Sequence, residues 1–281
     1  MNKIAIVILN YNFSTDCLKC IAFFKNQIDV EFEIIIVDNC SCIEDIAELE
    51  VLCKNGNYTL LKSSENRGFS AGNNIGLRYA ADKGYEYALI VNPDVEIHET
   101  DYLSKMIAKM QLDDDIVVLG SDIVNLEGFH QNPLREVSYI EELFCFIELF
   151  QRKLLKKLTY VIDYCNNGYC EKLSGCCFMI RVSFLEQIGF LDENTFLYCE
   201  EPILAKQVQI AGKKMYYLAD SQAIHAHIKS KKGNKYKRLN LFMQSRIYYL
   251  KKYSGYSNIA LFFLLFSKKL YIHIYNKLII E

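Results

Sequence analysis

The sequence predicts an α/β protein: a mostly parallel, Rossmann-like sheet flanked by helices, with a helical appendage at the C-terminal end. Three observations predict it. Short apolar runs alternate with amphipathic stretches from Ile4 to Val91, as in repeated strand–helix–strand units. The runs are apolar throughout rather than at every second residue, which suits strands covered on both faces. Each also ends abruptly in turn residues: Asn10-Tyr11-Asn12, Asp38-Asn39 and Asn92-Pro93-Asp94. A chain of 281 residues with 51% hydrophobic residues is long enough to bury a substantial core.

In order, the elements read as follows. Ile4–Leu9 is a buried strand, and Ser14 is placed to cap a helix running to about Gln27, with Leu18, Ile21, Ala22 and Phe24 near one face. Glu33–Val37 is a second strand, followed by a helix over Ile43–Cys53 and a strand over Tyr58–Lys62. The stretch Asn66–Gly76, NRGFSAGNNIG, opens a helix that ends near Lys83. Tyr87–Val91 is the central strand. Pro93 lacks an N–H and biases Asn92 to an extended conformation, so the strand stops there.

Three loops should therefore meet at the carboxyl edge of one sheet, where open α/β sheets bind ligands. Asp94 can hold a divalent cation through oxygen, although Asn-Pro-Asp is also an ordinary polar turn. Asp38 can accept hydrogen bonds from a base or ribose, or it can cap the following helix. Arg67 offers a planar fork for phosphate. Gly68, Gly72 and Gly76 are four apart, which is neither a dinucleotide nor a P-loop fingerprint. That spacing also puts Gly72 and Gly76 on one helix face, as close helix–sheet packing requires. The net charge of −2 argues against a nucleic-acid binder. Eleven cysteines without paired C-x-x-C units read as reduced thiols of a cytosolic protein. MNKIAIVILN carries a strand-length apolar run and no cleavable signal.

The series ILNYN, VDN, NRGFSAGNNIG and NPDV, then LSGCCFMIRVSFLEQIGFLDE, TFLYCEE and AGKKMYYLADSQAIHAH, resembles the inverting GT-A-fold glycosyltransferases that use nucleoside-diphosphate sugars. It is closest to their bacterial polysaccharide branch, which includes many rhamnosyltransferases. The resemblance covers about Lys3–Ser121 and Lys172–His227, and its weight lies in many motifs occurring in order. It implies a donor, such as a UDP- or dTDP-sugar, held by Asn10, Tyr11, Asn12, Asp38, Asn39, Arg67, Gly68, Phe69, Asn73 and Asn92, with Asp38 at the base. It implies Mn²⁺ or Mg²⁺ at Asp94 and His225, with His227 as the less favoured histidine. Asn92 stands where the family has the first Asp of its Asp-x-Asp, and so is assigned to the sugar or ribose. Glu201 stands at the general base of the family's Glu-Asp pair, with Glu200 its rival. Ile203 stands where the family often carries a further Asp.

On this reading residues 1–227 form the catalytic domain, with 125–167 an insert or acceptor region that includes an amphipathic helix over Tyr139–Phe150. Residues 228–281 form a basic, aromatic-rich helical tail. Phe262–Phe266, between Lys251-Lys252 and Lys268-Lys269, suits an interfacial helix on anionic lipid; a helix folded back on the domain or a homodimer contact is the alternative. The motif residues end at His227, so the catalytic edge is not expected to need the tail. The expected protein is a cytoplasmic glycosyltransferase, peripheral at the inner face of the cell membrane. It would act on a glycan or polyprenyl-diphosphate-linked acceptor in surface polysaccharide synthesis. The rivals are a sugar-nucleotide pyrophosphorylase, disfavoured because Asn10–Phe13 replaces a basic Gly-rich loop, and a non-catalytic sugar-nucleotide-binding scaffold.

Overall fold

The computed structural model describes residues 3–145, 162–227 and 235–280. Nine strands form one mixed sheet: β1 (Lys3–Asn10), β2 (Glu31–Asp38), β3 (Thr59–Lys62), β4 (Tyr87–Val91), β5 (Val95–Glu96), β6 (Ile116–Asn125), β7 (Gly168–Cys170), β8 (Cys177–Arg181) and β9 (Lys214–His225). Their order is β3-β2-β1-β4-β8-β6-β9-β5, with β7 on β9. The half from β3 to β4 is parallel throughout. β8 then runs antiparallel to both β4 and β6, while β6 and β9 are parallel to each other.

Side-chain alternation along strands buried on both faces supplies two cores. Ile4, Ile6 and Ile8 of β1 face one core with α1 (Ser14–Phe24), α2 (Ile43–Gly56) and α4 (Tyr102–Gln111). Ala5 and Val7 face the other with α3 (Phe69–Asp82), α6 (Val182–Ile188) and α7 (Glu200–Ile210). The short α5 (Tyr139–Leu143) and the tail helices α8 (Lys235–Lys252) and α9 (Asn258–Ile280) complete the described elements. A Cβ on Gly76 would lie 2.6 Å from Val7 Cγ1 and 3.0 Å from Val37 Cγ2, so the glycine spacing in α3 serves close helix–sheet packing.

Two local expectations change. Ser14 does not cap α1: its N–H donates to Asp45 Oδ1 at 2.9 Å and its hydroxyl to Glu48 Oε2 at 2.6 Å, because α2 brings carboxylates within reach. Of the helix expected over Tyr139–Phe150, α5 ends at Leu143 and residues 146–150 lie outside the described residues. The basic run from Lys229 likewise falls outside them as far as residue 234.

The tail is packed against the domain. Leu264, Tyr249 and Leu250 form a small core with Cys199 and Ile203 of the α7 region. Glu142 of α5, Arg246 of α8 and Lys268 of α9 make a buried charge cluster, with Lys268 Nζ 2.6 Å from Glu142 Oε2. Lys268, counted above among the lipid-facing lysines, is thus inside the protein. The opposite face of α9 stays open, with Ile259, Phe262, Phe263 and Phe266 all at least half exposed. No helix among the described residues is long and apolar enough to cross a membrane.

Candidate active site

The parallel register sets Asn10 opposite Asp38 and Ile8 opposite Val91, so the three loops leave one edge of the sheet side by side. Beyond β4, Asp94 meets the end of β9. Its Oδ2 lies 3.0 Å from His227 Nδ1, and its Oδ1 lies 3.4 Å from His225 Nε2. Candidate ligand atoms of the three residues all fall within 4.8 Å of one another. Asp94 Oδ1 is buried, and beyond its 3.4 Å approach to His225 it makes no hydrogen bond, leaving a hard oxygen of the kind a cation satisfies. Burial works against both charges. Even so, His225 and then His227 hold the Asp94 carboxyl below its ordinary value. Asp94, with the Cys176 thiol beside the ring, pushes His225 up to about 10. Cation binding requires the ring to give up that proton. An oxygen and two imidazoles suit a first-row ion such as Mn²⁺ better than Mg²⁺, which prefers oxygen and water.

The polar loops at this edge are internally braced. Asn10 is fully buried; its Nδ2 donates to Asp38 Oδ1 at 3.1 Å, Ser41 Oγ at 3.0 Å and Asp45 Oδ2 at 2.6 Å. Asp38 is also fully buried, its Oδ2 accepting from Ser41 N at 3.2 Å. Both hold the loop together. Asn12 accepts from Cys42 N, and Tyr11 is exposed. On the other side Asn39 Nδ2 donates to Asn66 Oδ1 and Gly68 O, each at 3.1 Å. Phe69 N donates to Phe196 O, and a Cβ on Gly68 would lie 2.0 Å from that oxygen; with φ at +96° the position needs glycine. Asn73 Nδ2 donates to Phe69 O. The Oδ1 atoms of Asn39 and Asn73 are buried without partners. Exposed Arg67 pairs with Glu193 at 3.1 Å.

Glu200 and Glu201 open α7 after two residues in the left-handed region, Tyr198 at φ 74° and Cys199 at φ 66°. Non-glycine residues there are strained, and such strain concentrates at functional sites. Glu200 Oε1 is buried and unpartnered. Burial and the neighbouring Glu201 carboxylate push the Glu200 carboxyl up to about 7. Glu201 lies against the Gly175 turn, where an added Cβ would sit 3.4 Å from its Oε1. The buried Lys172 ammonium is disfavoured by burial and held partly by Glu136 and Glu201. The same turn reaches the cation cluster, since Cys176 O accepts from Asn92 N at 2.8 Å and its thiol touches His225. The turn that leads into antiparallel β8 thus sets Gly175-Cys176 between the two groups of titratable residues.

Some members of the site had no signal in the sequence. Gln131 Oε1 lies 2.8 Å from His225 Nδ1, although Gln131 sits in the stretch that read as an insert. Asp192 accepts from Tyr248 at 2.7 Å, Lys252 at 2.9 Å and Tyr253, tying α8 to the loop that leads into Glu200. Burial works against the Asp192 charge, but the Tyr253, Asn194 and Tyr248 donors hold its carboxyl well below the usual range. These contacts join residues 56 to 61 positions apart, beyond the reach of any local pattern.

Comparison with known proteins bears on the family and the fold. The model of glycosyl transferase family 2 matches residues 5–189, which is more than half the chain. The low-salt glycan biosynthesis hexosyltransferase Agl10 of Haloferax volcanii is 28% identical over 204 residues, 72% of this chain and 60% of that protein. The rhamnosyltransferase WbbL of Escherichia coli K12 is 24% identical over 221 residues, 75% of this chain and 78% of that protein. Among solved structures, GalNAc-T7 with UDP, GalNAc and Mn²⁺ has a TM-score of 0.64 at 13% identity, covering 89% of this chain and 48% of its own. The mannosyltransferase PcManGT of Pyrobaculum calidifontis, with GDP-Man and Mn²⁺, has a TM-score of 0.61 at 14% identity, covering 96% and 69%. At those identities the structures speak for the fold alone. The chain therefore spans less than two thirds of its hexosyltransferase relative and about half of GalNAc-T7. With the motifs in order, the mixed sheet and the family match in agreement, the chain belongs to glycosyl transferase family 2 and has the GT-A fold.

Proposed function

We propose that this chain transfers a hexosyl or rhamnosyl unit, with inversion, from a nucleoside-diphosphate sugar to a glycan or polyprenyl-diphosphate-linked acceptor of a surface polysaccharide. The observation that carries the reading is the Gly175-Cys176 turn, which touches the Asp94–His225 cluster on one side and Glu201 on the other. Transfer needs both groups near each other: positive charge where the diphosphate departs, and a base where the acceptor hydroxyl attacks. Asp94, His225 and His227 would hold Mn²⁺ or, less well, Mg²⁺, which when bound supplies the charge that stabilises the leaving diphosphate. Asn39, Asn73, Asn92 and Arg67 would orient the donor, with buried Asn10 and Asp38 fixing the loop beneath it. Glu201, facing the Gly175 turn, takes the acceptor proton, and Glu200 sets the charge beside it. One base without a second nucleophilic carboxylate at the anomeric carbon favours a single displacement.

The tail fits a lipid-linked acceptor. Ile259, Phe262, Phe263 and Phe266 are exposed at the i, i+3, i+4, i+7 spacing of one helix face. Of the 32 basic residues twelve follow His227, against one of the 34 acidic ones. Such a surface suits the inner face of an anionic membrane.

The test is donor binding and turnover across UDP-, dTDP- and GDP-sugars with Mn²⁺. We expect one donor to bind with metal present, and nucleoside diphosphate to be released. Asp94→Ala should abolish metal-dependent donor binding by calorimetry while the melting temperature holds. Pyrophosphate-dependent turnover, or unchanged donor binding in the variant, overturns the reading.

A further inference from the structure

We propose that Gln131 is a positioning residue, fixing which ring nitrogen of His225 faces the cation site. The inference rests on the cation reading above and adds to it a residue from the segment between β6 and α5. His225 is pinned from two sides, with Nδ1 2.8 Å from Gln131 Oε1 and Nε2 3.4 Å from Asp94 Oδ1. A carboxamide oxygen only accepts, so Nδ1 carries hydrogen, and Nε2 is the nitrogen left to act as ligand. A histidine that ligates a metal is ordinarily oriented through its other nitrogen in this way.

Gln131 is itself held on a rigid platform. Its N–H donates to Ile123 O at 2.6 Å. Fully buried Asn132 donates to Ser121 O at 3.0 Å and accepts from Ser174 N at 2.7 Å. His227 differs: it is 55% exposed at its side chain, and among the described residues its Nε2 has no partner. The two histidines are thus unequal: His225 is braced through both ring nitrogens, and His227 through Nδ1 alone, by Asp94.

The experiment titrates Mn²⁺ alone into the full chain, following the free-ion signal by EPR. It is repeated with Gln131→Met and Gln131→Glu. The thioether variant keeps the bulk but no strong acceptor; the carboxylate variant keeps an acceptor at the same reach. We expect Gln131→Met to weaken Mn²⁺ binding about tenfold. Gln131→Glu should stay within about threefold of the unmodified chain, at unchanged melting temperature. Pulsed EPR on ¹⁵N-histidine protein should lose one of the nitrogen couplings in Gln131→Met and keep it in Gln131→Glu. Equal affinities in both variants and the unmodified chain overturn the role, as does an equal loss in both variants. If Gln131→Met does not fold, loss of affinity in a folded Gln131→Glu has the same force. Failure of the unmodified chain to bind Mn²⁺ overturns the cation site and this role together.

Discussion

The carboxylate pair shows what a single residue contributes. Glu200 is an acid whose folded value rises from the ordinary 4.5 to about 7, first through burial and then through the Glu201 charge. Between those values the folded chain binds more protons than the unfolded chain, so this group lowers stability as pH rises from 4.5 to about 7. Over the same window Glu200 acquires the charge that it sets beside the proposed base. With donor saturating, turnover should rise with pH and level off above about 7. Glu201→Gln should keep donor affinity and lower turnover by roughly 10²–10⁴-fold, while Glu200→Gln costs less and moves the pH limb downward. Steady-state kinetics of both variants from pH 5 to 9 read this. A larger loss in Glu200→Gln would reassign the base to Glu200.

At the scale of elements, α5, α8 and α9 are joined through one buried carboxylate. Glu142 pairs with Arg246 and Lys268, all three nearly inaccessible. Burial disfavours the Glu142 charge, but Arg246 and then Lys268 hold its carboxyl below the usual range. Removing one partner of a buried pair strands the others, at about 3–5 kcal/mol. Glu142→Gln should therefore lower stability by about that much in urea unfolding near neutral pH. The deficit should shrink in acid, because the native contribution of Glu142 is lost as pH falls through its folded value. A change under about 1 kcal/mol would mean that the three charges are solvated in solution. The cluster matters to the site because α8 also donates from Ser245 to Leu197 O at 2.7 Å, in the loop just before Glu200.

For the whole molecule, the packing of the tail changes what a truncation tests. Cutting at about Ser257 removes Leu264, fully buried against Cys199 and Ile203, together with Lys268. The expectation that the catalytic edge is independent of the tail therefore gives way: the truncated protein should be destabilised where Cys199 and Ile203 flank the proposed base. Point changes on the open face ask the membrane question cleanly. Phe262→Ser with Phe263→Ser should leave the melting temperature unchanged and weaken co-sedimentation with phosphatidylglycerol vesicles several-fold. Added salt should weaken binding further, since each basic residue near an anionic surface contributes about 1 kcal/mol. Equal sedimentation of the two proteins would remove the membrane reading. A dimer that dissociates in the variant would assign the face to a second copy.

The sequence by itself determined the strand–helix alternation, the central strand at Tyr87–Val91 and the meeting of three polar loops at one edge. Those features are local: apolar runs, turn residues and glycine spacing state them within a dozen positions. It also made Asp94 and His225 legible, through the motif order. What only the tertiary structure decided depends on contacts distant in the chain. β8 enters antiparallel between β4 and β6, pairing with each, and no periodicity encodes the direction of a strand. The resemblance put Asn10 and Asp38 at the donor; the structure adds that their side chains are hydrogen-bonded to Ser41, in the loop before α2, and that Asn10 also reaches Asp45 of α2. His227 joined the cluster because the chain remains extended past His225, with Ala226 N donating to Asp94 O at 2.8 Å. The direction in which α9 faces was decided by Glu142, 126 residues from Lys268. A buried charge takes whichever partner the fold brings to it.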